Sequence, residues 1–214
     1  ERERKNPVEL FQIWLNLPAA DKLAPPYFSM LWGEEIPKPV FRDALGRAIE
    51  VTVVAGALGE HRPPAPPPRS WASRPDADVA IWSLRFEPGA AFTLPRAAGE
   101  RTNRTLYFFE GPTLRIDDHE QRSHSAIGVM ADKDLVLTAG DGACEVLMLQ
   151  GRPIDEPVAQ YGPFVMNTPE EIQRAFADYR RTQFGGWPWP VDDPVHPKDA
   201  GRFAKHADGR VETR

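Results

Sequence analysis

Tyr161-Gly162-Pro163-Phe164-Val165-Met166-Asn167-Thr168-Pro169-Glu170-Glu171-Ile172 is the stretch on which the fold turns. An apolar turn delivers the chain into a helix whose start is marked by three neighbouring residues. Thr168 stands at the N-cap, Pro169 takes the first helical position, and Glu171 falls where a capping box places its acid. Ile172, Ala175, Phe176 and Tyr179 recur at three- and four-residue spacing, so one face must be buried. Arg180 and Arg181 suit the negative end of the helix dipole, and Gly185-Gly186 is expected to end the helix after Gln183. By pattern alone, this is a late helix docked on a sheet.

Working outward, the chain upstream reads as short strands. Ile49 to Val54 is a β-branched run closed by Gly56 and Gly59. Ala80, Trp82, Leu84 and Phe86 share a face, and Pro88-Gly89 turns into Ala91 to Leu94. Thr105 to Phe109 is apolar on both faces, as a strand between two layers should be. Leu114 to Ile116 follows, with Asp117-Asp118-His119-Glu120 as a polar hairpin tip. Ala126 to Met130, Leu135 to Leu137 and Ala143 to Leu149 complete the series. Near the start, Phe11, Ile13, Leu15 and Leu17 alternate with Gln12, Trp14 and Asn16, which predicts another strand over Leu10 to Leu17. The 23 Pro and 16 Gly discourage long helices. Arg62-Pro63-Pro64-Ala65-Pro66-Pro67-Pro68 reads as a rigid polyproline loop, with an SH3-type ligand as the alternative. The expectation is an all-β, double-sheet jelly roll with one C-terminal helix.

Composition bounds the function. A chain of 214 residues is enough for one full domain, or one domain plus part of another. A net charge of −5 without clustered Lys and Arg argues against direct nucleic-acid binding. No apolar run approaches a membrane span, and the charged opening Glu1-Arg2-Glu3-Arg4-Lys5 lacks an apolar core, so no signal peptide is expected. A single cysteine, Cys144, excludes an internal disulfide and fits a reducing cytoplasm.

The signature stretch, with Gln150-Gly151-Arg152-Pro153-Ile154-Asp155-Glu156-Pro157 before it, resembles the C-terminal region of the pirin family. Phe11-Gln12-Ile13-Trp14-Leu15-Asn16-Leu17-Pro18-Ala19-Ala20-Asp21-Lys22 looks like that family's mid-chain strand. The resemblance implies a bicupin. Residues 1–26 would hold the last strand of a truncated N-terminal cupin barrel and a linker. Residues 27–157 would form the C-terminal metal-free cupin barrel, 158–186 the signature turn and helix, and 187–214 an extended tail whose last dozen residues are loose.

Cupin chemistry rests on a metal held by imidazoles and a carboxylate. In the pattern that the resemblance implies, Gly89 and Gly111 are the bracketing glycines. Pro95 and Ala97 then stand where the two His would be, Arg104 at the carboxylate position, and Ala143 at the later His. None of these side chains binds a divalent metal. No cofactor is expected in this chain, and iron is expected only in the N-terminal barrel upstream of Glu1. If Ala143 points inward, alternation sends Glu145 inward too, towards Arg104. A buried Arg104–Glu145 pair filling the vacant cavity is one reading, and Glu145 at a wet rim is the other.

His119 and His124 read as solvated turn residues, His61 as loop decoration, and His196 and His206 as part of the tail. No nucleophile elbow, phosphate loop or CxxC pair is present. Two functions follow from the resemblance. In one, the intact protein is an iron-dependent enzyme of quercetin 2,3-dioxygenase type, and this part alone is inactive. In the other, the barrel is a metal-free binding or regulatory module that meets a protein partner, as a redox-responsive transcription cofactor does. The expected physical partner is the N-terminal barrel or a second copy of the chain.

Overall fold

The structure, a computed structural model, describes residues 3–187, 189–206 and 208–214. Glu1, Arg2 and Pro188, which figure in the sequence reading, lie outside the described residues. Ten antiparallel strands form the barrel: β1 (Val40–Arg42), β2 (Ala48–Ala55), β3 (Ala80–Phe86), β4 (Ala91–Leu94), β5 (Asn103–Glu110), β6 (Thr113–Ile116), β7 (His119–Arg122), β8 (Ser125–Val129), β9 (Leu135–Ala139) and β10 (Cys144–Gly151). One sheet runs β1-β2-β3-β10-β5-β8 and the other β4-β9-β6-β7. This is the expected double-sheet jelly roll.

Alternation fixes what each strand contributes. Cys144, Val146 and Met148 of β10 lie opposite Phe86, Leu84 and Trp82 of β3, and all six are buried. Leu106 and Phe108 of β5 enter from the other side, and Leu94, Leu114 and Leu137 come from the facing sheet. The barrel interior is therefore filled with large apolar side chains, each contributing on the order of 1.5–3 kcal/mol of burial. Gly111 turns β5 into β6 at φ +113°, and a Cβ there would sit 2.5 Å from the Ala143 carbonyl oxygen. Only glycine fits this turn.

The helix α1 (Pro169–Thr182) carries the predicted capping box. Thr168 Oγ1 accepts from the Glu171 amide at 3.2 Å, and Glu171 Oε2 accepts from the Thr168 and Asn167 amides at 3.1 and 2.9 Å. Ile172 and Ala175 are buried. Its apolar face meets a small hairpin rather than a barrel sheet. This hairpin, β11 (Ala159–Tyr161) and β12 (Phe164–Met166), stands where an apolar turn was expected. Phe164 meets Phe176 edge-on at 4.7 Å. The helix ends on Gln183, in the left-handed region at φ 51°, with its amide bonded to the Tyr179 carbonyl. Gly185 and Gly186 come after the stop instead of making it.

Two further expectations are corrected. Residues 10–17 are not a strand. They lie across the outer face of the large sheet, where Phe11 meets Phe109 of β5 edge-on at 4.8 Å. Alternation gave this segment an apolar side, but a sheet face offers its backbone no unpaired N–H and C=O row as a sheet edge does. The tail is also more ordered than expected. It forms the hairpin β13 (Phe203–Lys205) and β14 (Val211–Thr213), with Ala204 and His206 buried. Arg202 pairs with Glu34 and Arg214 with Glu35, fastening the hairpin to the segment before β1. Among the described residues, no helix is long and apolar enough to cross a membrane.

Candidate functional site

On β5, Arg104, Leu106 and Phe108 face the barrel interior while Asn103, Thr105 and Tyr107 face out. Arg104 is 3% exposed, so its charge is buried as the sequence suggested. Its partner is not Glu145. Nε and Nη2 donate to Gln150 Oε1 at 2.9 and 2.5 Å, from the residue directly opposite on β10. Gln150 Nε2 donates at 3.1 Å to both the carbonyl and Oδ1 of Asp78. Asp78 Oδ2 accepts from the Gly99 amide at 2.9 Å and from Thr102 Oγ1 at 2.6 Å. Asp78 itself is left-handed at φ 48°.

Burial lowers the pKa of the Arg104 guanidinium, while the charges of Asp78 and Asp134 oppose that shift. Its Nη1 is shielded from solvent and has no acceptor among the described residues.

Glu145 lies elsewhere. It faces out from β10, opposite Arg85 of β3, and pairs with Arg85 at 3.3 Å. It pairs in register with Glu110, at the far end of β5 from Arg104. At about 3.3 Å per residue, the two side chains start on the order of 17 Å apart and on opposite faces. The alternation that predicted Glu145 inward was right in period but wrong in phase, because Cys144 is the inward residue. The same period, correctly phased through Cys144, Val146 and Met148, would have found Gln150. Nothing in the sequence pointed to Asp78.

The metal-ligand positions can be tested against iron. Pro95 and Ala97 are half-buried, Ala143 is exposed, none of the three offers a donor, and Arg104 offers only N–H groups. Among the described residues, no group of three or more His, Cys, Asp or Glu is placed to hold a metal ion. This donor set does not fit a cupin iron centre. Cys144 is buried with its thiol donating to the Thr113 carbonyl at 3.0 Å, and burial raises its pKa. It is therefore a poor nucleophile.

A second feature lies outside the barrel. A cavity of about 530 Å³ opens between residues 13–16 and the outer face of the large sheet, lined by Trp14, Ile81, Thr105, Leu149 and Arg152 among others. Its walls are mostly apolar, and the segment above it leaves Leu10 80% and Trp14 66% exposed.

Two antiparallel sheets closed around an apolar interior define a cupin-type jelly roll. Residues 81–185 match the family pattern of the pirin C-terminal cupin domain. Human pirin is 30% identical over 186 residues, covering 85% of this chain and 59% of that protein. A Pseudomonas aeruginosa protein provisionally named a quercetin 2,3-dioxygenase is 30% identical over 177 residues, covering 83% of this chain and 57% of its own length. The crystal structure of quercetin 2,3-dioxygenase from Acinetobacter baumannii superposes with a TM-score of 0.66 at 26% identity, covering 81% of this chain and 56% of that one. The chain belongs to the pirin family. It spans less than two thirds of the length of these relatives.

Proposed function

We propose that this barrel is the iron-free C-terminal half of a bicupin. Its N-terminal barrel would carry an iron-dependent site of quercetin 2,3-dioxygenase type. The observation that carries the reading is Arg104: the position that would supply the carboxylate ligand holds a buried guanidinium bonded to Gln150. A cation fixed there repels a divalent metal instead of binding one. The role left to this barrel is structural. Its outer face, crossed by residues 11–16, is the surface against which the iron-bearing barrel packs, and alone it is inactive.

The test compares the full-length protein with residues 1–214 for iron content and for oxygen-dependent flavonol ring opening. Iron and activity are expected only in the longer protein. Stoichiometric iron in the 214-residue chain, or activity from it, overturns the proposal.

A second reading has one observation in its favour. The apolar outer face suits a separate protein partner as well as a covalently linked barrel, so the chain would act as a metal-free binding or regulatory module. Saturable, iron-independent capture of a purified partner, lost on substituting Leu149, would favour it.

A further inference from the structure

Far from the barrel core, the C-terminal hairpin and the segment before β1 enclose a second cavity of about 690 Å³. Its size lies within the range of small-molecule sites. Phe28, Trp32, Trp189 and Phe203 line it, with His196, Arg202 and Lys205 as its polar side chains. Trp32 is buried, with the guanidinium groups of Arg202 and Arg214 over its ring at 5.3 and 5.6 Å. That wall is therefore fixed before any ligand arrives. His196 packs edge-on against Phe203 at 4.7 Å, which orders another part of the lining.

The charges around the cavity are unevenly matched. Glu34 is taken by Arg202, Glu35 by Arg214, and Glu212 by Arg210 and His206. Among the described residues, no carboxylate pairs with Lys205, whose ammonium lies 5.0 Å from the centre of the Trp189 ring. The cavity thus offers several aromatic surfaces and one cation that no acid neutralises.

We propose that this cavity binds a flat aromatic ring bearing a carboxylate. The ring would be received by the aromatic walls, and its anionic group would meet the Lys205 ammonium. The aromatic surfaces supply contact area at low entropic cost, and the lone ammonium selects against the neutral isostere. The site lies outside residues 81–185 and is independent of the bicupin reading.

The experiment titrates the chain with 2-naphthoate and with neutral 2-naphthamide by isothermal calorimetry. Saturable naphthoate binding is expected at millimolar affinity or tighter, with the amide about three- to fivefold weaker, as a solvent-exposed charge contact gives. Lys205→Met should erase that preference while leaving the circular dichroism spectrum unchanged. Trp189→Ala should weaken both ligands. Trp14→Ala, which alters the outer-face cavity, should weaken neither. The proposal is overturned by an absence of saturation, by equal affinity for acid and amide, by binding indifferent to Lys205 and Trp189, or by binding lost in the Trp14 variant.

Discussion

Arg104 and Gln150 face each other across β5 and β10, and one amide oxygen receives two of the guanidinium's N–H groups. The pair is asymmetric. Arg104 brings a buried charge, and Gln150 relays it to Asp78 through its own amide nitrogen. Gln150→Ala should therefore cost roughly 2–3 kcal/mol, because it strands buried donors. Arg104→Met removes the charge and leaves a shape that an apolar core tolerates. It strands only the Gln150 Oε1 acceptor and leaves no buried charge without a partner, so it should cost less, about 1–2 kcal/mol. Urea unfolding of both variants checks the order; an Arg104→Met loss as large as that of Gln150→Ala contradicts it.

Asp78 ties three elements together, since its carboxylate holds Gly99, Thr102 and Gln150 at once. Asp78→Ala should lower stability by about 2 kcal/mol and speed hydrogen exchange at the Gly99 amide more than at core amides such as Leu106. Asp78→Asn retains an acceptor and should fall between. A uniform rise in exchange across the barrel would show that Asp78 supports global folding and not the loop.

The barrel was legible because strand alternation is enforced by a packed interior. Ala80, Trp82, Leu84 and Phe86 share a buried face, as their spacing demands. The helix start was equally legible, since Thr168, Pro169 and Glu171 act within one turn. What failed depended on distant partners. Residues 10–17 alternate like a strand, yet the presence of a sheet edge beside them is not encoded in their own pattern. Glu145 was assigned the wrong face because its phase was hung on Ala143, one residue before β10 begins. The short strands β13 and β14 escaped notice because their anchors, Glu34 and Glu35, lie far away in sequence.

Acid should loosen the attachment of the C-terminal hairpin. The hydrogen bond from Arg202, ahead of smaller contributions, holds the Glu34 carboxyl down at about 2, from an ordinary value of 4.5. A depressed carboxyl contributes stability that is complete above its unfolded-state value and is lost as pH falls through the folded one. The Glu34–Arg202 contribution should therefore be intact above about pH 4.5 and fade towards about pH 2. Asp21 shares this direction, since a hydrogen bond from Arg74, working against burial, holds its carboxyl below the usual range. Glu34→Gln should flatten the acid limb of hairpin opening, followed by Trp189 fluorescence in a background lacking the other tryptophans. An unchanged limb would rule Glu34 out as its cause.

The outer face of the large sheet should make the isolated chain self-associate. Ile81, Thr105 and Leu149 line an open cavity there, and Leu10, Trp14 and Tyr107 project apolar surface nearby. Contiguous apolar patches of this kind drive association unless a partner covers them. Sedimentation at rising concentration should show dimers or larger species. Leu149→Lys should shift the distribution towards monomer, because the ammonium reaches water only if the face stays uncovered. Leu149 faces away from the barrel interior, so the variant should keep its cooperative unfolding. A wild-type chain that sediments as a monodisperse monomer would remove the outer face as a surface for self-association.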